Sequence, residues 1–142
     1  MHWFAALLLY CPFFCINCQS AAKFPNGLIY TLPVTEQTIF HKILARAIPA
    51  AIVTEDDEVL AFKDIHPKAP THILFIPKHF VASIADVTPE TAHIPGMLIL
   101  KAQKFAAEQG IAGYKLTFHV GKGGGQEVMY LHLHFLSEEK LK

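Results

Sequence analysis

The sequence predicts a single α+β domain of five β-strands and two α-helices. The chain has 142 residues, which is enough for one hydrophobic core and too few for two. Five short runs rich in β-branched and aromatic residues are bounded by polar, glycine or proline turns. Two further segments carry helical patterns, one before the first strand and one between the third and the fourth. Helices inserted between hairpins are typical of the α+β class.

The first helix is predicted at residues 38–47. Apolar residues recur at every fourth position from Ile39, and Pro49 ends the pattern because proline cannot continue a helix. Two β-rich runs follow, at residues 51–54 and 59–65, with an acidic turn between them. We therefore expect a β-hairpin after the helix.

The middle of the chain predicts one loop, one strand and the long helix. Residues 66–71 contain two prolines and form an extended loop, and the near-continuous apolarity of residues 72–77 predicts a strand buried on both faces. Residues 89–109 have helical composition, with Gly110 as the C-cap. Because Pro95 and Gly96 interrupt the pattern, we expect the main helix to start near Gly96.

Residues 1–33 differ from the rest, and we treat residues 34–142 as the domain. Residues 3–16 are almost all apolar, which is too short for a membrane span but is followed, as in a signal peptide, by small residues. No positive charge precedes the apolar run, and Val34 begins a short polar lead into a helix, as a natural amino terminus does. We expect an upstream mis-start or a signal-like segment, a cytoplasmic protein if the segment is not an export signal, and membrane contact only if it is retained.

Composition excludes several functions. Twelve basic and twelve acidic residues balance, so no net field gathers nucleic acid. The three cysteines stand at positions 11, 15 and 18. Residues 34–142 therefore have no disulfide, no thiol nucleophile and no cysteine-based zinc site.

Two histidines and a glycine loop suggest the chemistry. The last two strands are predicted at residues 114–120 and 128–136, and residues 121–126 between them contain three consecutive glycines. Alternation along the second strand places His132 and His134 on one face, about 7 Å apart. Glycine backbone N–H groups can approach an oxyanion closely. This combination favours chemistry on a phosphate.

Such chemistry needs three polar groups. A neutral imidazole attacks phosphorus, a second imidazole protonates the leaving group, and a third group holds the far nitrogen of the nucleophile. His72, at the start of a strand, is a candidate for the third group. On spacing alone, a metal site is an open alternative that uses His72, His132 and His134, and His119 could also contribute in space.

The segments that carry these residues resemble the histidine triad (HIT) family. Residues 124–136 resemble the signature Gly-Gly-Gln-x-Val-x-His-x-His-x-His-x-x. Residues 61–78 and 38–43 are similar to the other two characteristic segments, in order and at matching spacings. The match covers residues 38–136 and points to the Hint branch, the purine nucleoside phosphoramidases. It implies a five-stranded antiparallel sheet with a short and a long helix, and a homodimer whose sheets join.

The resemblance also implies residue roles. His132 matches the nucleophile, His134 the third triad histidine, and His72 an upstream histidine that orients the nucleophile. Asp64 would accept the ribose hydroxyls and Gln126 would hold the α-phosphate with the neighbouring backbone. The remaining residues implied to contact the nucleotide are Phe40, Ile43, Phe62, Ile65, His119, Gly125, Glu127 and Val128.

The implied reaction is hydrolysis of adenosine or guanosine 5′-phosphoramidates, including lysyl adenylates, through a covalent nucleotidyl-histidine. No cofactor and no metal are implied. Two features depart from the family pattern: Tyr130 occupies the first triad position, and His119 stands where asparagine is common. They leave two alternatives, a catalytically weakened nucleotide-binding or scaffold protein and a dinucleoside polyphosphate hydrolase.

Overall fold

A computed structural model describes two short paired strands and then residues 37–141. The two strands, β1 (Ala22–Lys23) and β2 (Ile29–Tyr30), pair antiparallel. The chain divides into two compact units, residues 1–35 and 36–142. The expectation about residues 1–33 falls almost entirely outside the described residues and stays a prediction. Among the helices that the structure describes, none has the length and apolarity needed to cross a membrane.

The helix α1 (Ile39–Leu44) is shorter than the 38–47 expected from its apolar spacing. It begins with a capping box in which the Thr38 backbone N–H donates to Nδ1 of His41 at 3.1 Å. It ends because Arg46 has a φ of 59°, a left-handed conformation that an α-helix cannot continue through. Its two buried residues, Phe40 and Ile43, face the sheet region.

Five strands form one antiparallel sheet, as predicted. They are β3 (Ile52–Glu55), β4 (Val59–Lys63), β5 (Thr71–Pro77), β6 (Lys115–Phe118) and β7 (Leu133–Ser137). The spatial order is β3-β4-β5-β7-β6, so β5 lies at the centre. Every residue of β5 is buried, which confirms the burial on both faces that its apolar sequence predicted.

The long helix α2 (His93–Gln109) covers one face of the sheet. Leu98 and Phe105 of α2 pack with Ile73 and Phe75 of β5 in the larger core. Gly110 ends the helix at a φ of 69°, as predicted.

The expected start of the main helix near Gly96 is wrong, because α2 begins at His93. Pro95 is therefore in the first turn of the helix. A backbone N–H in the first turn has no intrahelical acceptor, so proline loses no hydrogen bond there.

The opposite face of the sheet carries a second, smaller core. Alternation along β5 sends Leu74 and Ile76 to this face, where they pack with Phe40 of α1, Phe62 of β4 and Tyr130. His72 follows the same alternation. The histidines of the last strand region therefore meet His72 on the α1 face.

The last strand is shorter than the predicted 128–136. It begins at Leu133, since residues 128–132 leave the ladder. The Tyr130 N–H donates to the carbonyl of Val128, and the Leu131 N–H donates to the carbonyl of Val81. These bonds bend the chain before the strand, so simple strand alternation does not govern His132.

Candidate active site

A cavity of about 640 Å³ opens on the α1 face of the sheet. This volume is typical of small-molecule sites. All predicted site residues except His72 and Gln126 line it: Phe40, Ile43, Phe62, Asp64, Ile65, His119, Gly125, Glu127, Val128, His132 and His134.

Part of the cavity wall is made by residues that the sequence did not predict. Leu74 lies on it and could have been found, because it shares a strand face with His72. Ile48, Pro49 and Ala50 also line it. No sequence signal marks these three, because only folding brings the segment after α1 to the cavity.

His132 is held as a nucleophile would need to be. Its Nδ1 lies 2.7 Å from the carbonyl oxygen of Tyr130. A carbonyl only accepts, so Nδ1 carries the proton and Nε2 of the neutral ring has a free lone pair. Burial lowers the pKa of His132 and so favours this neutral form. In the structure, the group that orients the His132 ring is therefore a backbone carbonyl. The sequence had predicted His72 for this role.

His72 instead orients His134. The Lys68 backbone N–H donates to Nδ1 of His72 at 3.2 Å, which places the proton of the neutral ring on Nε2. That Nε2 lies 2.9 Å from Nδ1 of His134 and 3.4 Å from Oδ2 of Asp64. His134 accepts at Nδ1 and so carries its own proton on Nε2.

The Nε2 of His134 is a buried polar atom that no other described residue satisfies. A buried donor without a partner is costly, and it points to a ligand. Because His134 lines the cavity, this N–H can donate to an acceptor bound there. Burial, with smaller contributions from neighbouring histidines, lowers the pKa of His134 to about 3, so the ring is a neutral donor.

The rings of His132 and His134 are closer together than expected. Their ring centroids are 4.8 Å apart, compared with the roughly 7 Å that strand alternation predicted. The difference follows from the bend at residues 128–132. Phe40 contacts the His132 ring edge-on, with 5.3 Å between ring centroids, so an apolar side chain adjoins the candidate nucleophile.

Asp64 lies on the cavity wall but is not free. Its Oδ1 accepts the backbone N–H of His66 at 2.8 Å, and its Oδ2 faces Nε2 of His72. The family resemblance implied only a contact between Asp64 and the ribose. The structure adds a contact with the histidine network, which opposes the lowering of the His72 pKa by burial.

Gln126 differs from its expected role. Its amide donates to the carbonyls of Ala82 at 2.7 Å and Val128 at 3.1 Å, and its Oε1 accepts the Gly121 N–H at 3.0 Å. Both ends of the amide are therefore used within the protein. Gln126 shapes the glycine loop, while Gly125, at a φ of 83°, lies on the cavity itself.

Tyr130 is a structural residue. It is fully buried outside the cavity lining, and its hydroxyl donates to the carbonyl of Pro77 at 2.7 Å. The rings of Phe40, His41 and Phe80 pack edge-on against it at 4.9 to 6.0 Å. Burial raises its pKa to about 12, so it stays protonated. The first triad position therefore contributes packing, not a titrating group.

The rings of His119 and His134 lie 4.5 Å apart between centroids and are tilted by 46°, and His119 is half-buried at the cavity. Two trios of possible metal ligands result, His119–His132–His134 and Asp64–His72–His134. The trio His72–His132–His134, considered from the sequence, is not brought together in this way.

We expect stability to fall in mild acid because of these histidines. Unfolded His134 has a pKa of about 6.5, and the folded value is about 3. Between these values the unfolded state binds a proton that the folded state does not, so the free energy of unfolding falls as pH falls. His134 alone contributes at most about 2 kcal/mol between pH 7 and pH 5.

Urea unfolding in the presence of EDTA, repeated across this pH range, measures how steeply the free energy of unfolding depends on pH. His134→Gln removes one titrating group, so its free energy of unfolding should depend less steeply on pH. Equal slopes in the two proteins would contradict the assignment.

The fold and the site together define a class, an antiparallel α+β domain with histidine chemistry at a small-molecule cavity. Residues 37–141 match the family described as "Scavenger mRNA decapping enzyme C-term binding". The purine nucleoside phosphoramidase of Escherichia coli is 46% identical over 110 residues, covering 76% of this chain and 92% of the relative. An uncharacterized HIT-like protein of Synechocystis is 49% identical over 104 residues, covering 72% and 91%.

Solved structures of histidine triad proteins have a similar fold. A HIT family hydrolase from Legionella pneumophila has a TM-score of 0.68 at 43% identity, covering 73% of this chain and 95% of that one. A histidine triad protein from Clostridium difficile has a TM-score of 0.69 at 39% identity, covering 75% and 95%. The chain therefore belongs to the histidine triad family of nucleotide hydrolases, which confirms the resemblance seen in its sequence.

Proposed function

We propose that this protein hydrolyses purine nucleoside 5′-phosphoramidates to the mononucleotide and an amine, through a nucleotidyl intermediate on His132. One observation carries the proposal. The Tyr130 carbonyl holds the proton of His132 on Nδ1, which leaves a nucleophilic Nε2 at a cavity beside the unpartnered N–H of His134. The phosphoramidase of E. coli, at 46% identity, supports the substrate class.

The reaction has two steps. In the first, the Nε2 lone pair of His132 forms a bond to phosphorus, the P–N bond of the substrate breaks, and the leaving nitrogen takes a proton and departs as an amine. In the second, water attacks phosphorus, the bond to Nε2 breaks, and the proton from water replaces the one that was used. The neutral N–H of His134 would donate to a phosphoryl oxygen, and His119 would transfer these protons.

The rest of the cavity suits a nucleoside. Phe40, Ile43 and Phe62 would form an apolar wall for the base, and the largely exposed Ile65 also lines the cavity. Asp64 would reach the ribose hydroxyls from the same wall. We include the homodimer in the proposal on the strength of the family resemblance, and a cytoplasmic location on the condition that residues 1–33 are not a working export signal.

The scaffold alternative was based on Tyr130 and His119; Tyr130 lies outside the cavity lining, whereas His119 lines the cavity, so this alternative is kept for testing. Dinucleoside polyphosphate hydrolysis remains the alternative to test, since the same nucleophile would attack a P–O–P linkage.

A direct comparison of substrates decides between them. We expect a fluorogenic adenosine 5′-phosphoramidate to be hydrolysed with a kcat/KM at least about 100-fold above that for diadenosine triphosphate. The measurement is release of amine and AMP at equal enzyme concentration. The reverse preference would select the polyphosphate activity, and AMP binding without turnover of either substrate would select the scaffold.

A further inference from the structure

Asp64 is in contact with the histidine network as well as with the cavity. Its Oδ2 lies 3.4 Å from Nε2 of His72, and that Nε2 lies 2.9 Å from Nδ1 of His134. Asp64 and His134 both line the cavity, whereas His72 is buried outside the lining. Two separate parts of the cavity wall are therefore connected through one buried imidazole.

The Nε2 of His72 carries one proton and faces two acceptors. The Lys68 backbone N–H donates to Nδ1 of His72 at 3.2 Å, which keeps the proton on Nε2. Nδ1 of His134 is the nearer acceptor, and Oδ2 of Asp64 is the stronger one because a carboxylate is charged. One N–H cannot bond fully to both, so whatever else binds Oδ2 affects the bond to His134.

The bond from His72 decides where His134 carries its proton. While Nδ1 of His134 accepts this bond, the proton of the neutral ring is on Nε2, the buried atom that no other described residue satisfies. If His72 donates to Asp64 instead, Nδ1 has no donor, and the ring can carry its proton on either nitrogen. Only the first arrangement fixes an N–H that an acceptor in the cavity can use.

The position of Asp64 brings a ribose hydroxyl to the oxygen that faces His72. Oδ1 of Asp64 accepts the backbone N–H of His66 at 2.8 Å, which fixes the carboxylate in this orientation. When a carboxylate binds the two ribose hydroxyls together, each oxygen accepts one of them. One hydroxyl therefore reaches Oδ2, where it meets the N–H of His72.

We propose that Asp64 is a positioning residue through which the ribose hydroxyls of the substrate raise the rate of phosphoryl transfer. A hydroxyl that donates to Oδ2 satisfies this oxygen, so His72 donates to His134 alone and fixes the N–H for a phosphoryl oxygen. The substrate is then a ribonucleotide, selected over its dideoxy form by rate as well as by affinity. The reaction itself rests on the proposed function, and the coupling rests on the contacts between Asp64, His72 and His134.

Single-turnover kinetics with excess enzyme separate the rate from the affinity. The two substrates are the adenosine and the 2′,3′-dideoxyadenosine 5′-phosphoramidates of the same fluorogenic amine. We expect the saturated rate of the parent protein to be about 10-fold higher with the ribose substrate, because contacts remote from phosphorus then act on the chemical step. Equal saturated rates, with only weaker binding of the dideoxy substrate, would overturn the proposal and leave the proposed function intact.

Variants of Asp64 and His72 test the route of the coupling. Asp64→Ala and His72→Asn should each bring the ratio of the two saturated rates close to one. His72→Asn has no Nε2–H but keeps a side-chain acceptor for the Lys68 N–H, and it retains the carboxylate that binds the ribose. A ratio that stays at the parental value in a folded His72→Asn would overturn the route through this imidazole.

The matched control is Asp57→Ala. Asp57 is an exposed carboxylate in the turn between β3 and β4, outside the cavity lining, so its removal should leave the parental ratio unchanged. Because each protein is compared through a ratio, a general loss of activity in a variant does not affect the result. Thermal unfolding confirms that each variant is folded.

A second measurement does not depend on turnover. The ring ¹⁵N chemical shifts of a histidine show which nitrogen carries the proton. We expect saturating adenosine to raise the fraction of His134 that carries its proton on Nε2, and 2′,3′-dideoxyadenosine to leave that fraction unchanged. Neither nucleoside has a phosphate, so only the ribose hydroxyls differ. Asp64→Ala should show the higher fraction without any ligand.

The two measurements can fail separately. Absence of turnover with both phosphoramidates would refute the proposed function, and the nucleoside titration would still decide whether the ribose acts on His134. Identical His134 signals with the two nucleosides would overturn the proposal, whether or not the phosphoramidates are hydrolysed.

Discussion

Replacing His132 with alanine should lower kcat/KM for an adenosine phosphoramidate by about 10⁴-fold or more. In the proposed reaction the imidazole is the bond-forming group, and its Nε2 is available because the Tyr130 carbonyl holds the proton on Nδ1. A nucleophile cannot be replaced by binding or electrostatics alone, and losses of this size are typical when one is removed. Steady-state kinetics on the purified variant give the number.

Two controls separate chemistry from folding. His79→Ala changes an exposed histidine away from the cavity and should retain parental turnover. His132→Ala should still bind AMP, because Phe40, Phe62 and Asp64 keep their places on the wall. If His132→Ala retained more than a few per cent of activity, the covalent route through this residue would be excluded. Recovery of turnover with added imidazole would strengthen the assignment.

The second large effect is on stability and concerns Tyr130. Tyr130→Ala should lower the free energy of unfolding by about 3–5 kcal/mol, because it empties a fully buried position between three aromatic rings. Tyr130→Phe keeps the ring and leaves the Pro77 carbonyl without its donor. We expect it to cost about 1–2 kcal/mol. Urea denaturation of both variants measures these differences.

Turnover distinguishes this structural role from a catalytic one. Tyr130→Phe should keep a kcat within about twofold of the parent at a temperature where it is folded, because the hydroxyl faces Pro77 and not the cavity. A large fall in kcat with unchanged stability would mean that the phenol acts in the reaction. Tyr130→His would place a polar ring in this apolar pocket, so we expect it to destabilise the protein without adding a catalytic group.

Much of the fold could be read from local patterns. The apolar run of β5 predicted burial on both faces, and Gly110 predicted the end of α2. These predictions succeeded because one element contains the whole signal. The start of α2 was misplaced because proline has opposite effects in the first turn and in the interior of a helix, and the sequence does not say which applies.

The candidate site likewise has residues that the sequence predicted and contacts that it did not. The motif and its spacing were sufficient to select His72, His132 and His134, and all three meet on the α1 face. The partners of these histidines could not be selected. His132 is oriented by the Tyr130 carbonyl, and Gln126 is bonded to loop carbonyls and a glycine N–H. Backbone groups are the same in every residue, so no side-chain pattern reveals which carbonyl will face a given ring.

The sequence by itself determined the α+β class, the family and the candidate site histidines, because periodicity, turn chemistry and motif spacing are local properties. Only the tertiary structure decided that Tyr130 is a packing residue and that His119 approaches His134 at 4.5 Å. It also decided the 4.8 Å separation of His132 and His134. These facts depend on the bend before β7 and on contacts between residues far apart in the chain. Such contacts determine burial and hydrogen bonding, and they form only when the whole domain folds.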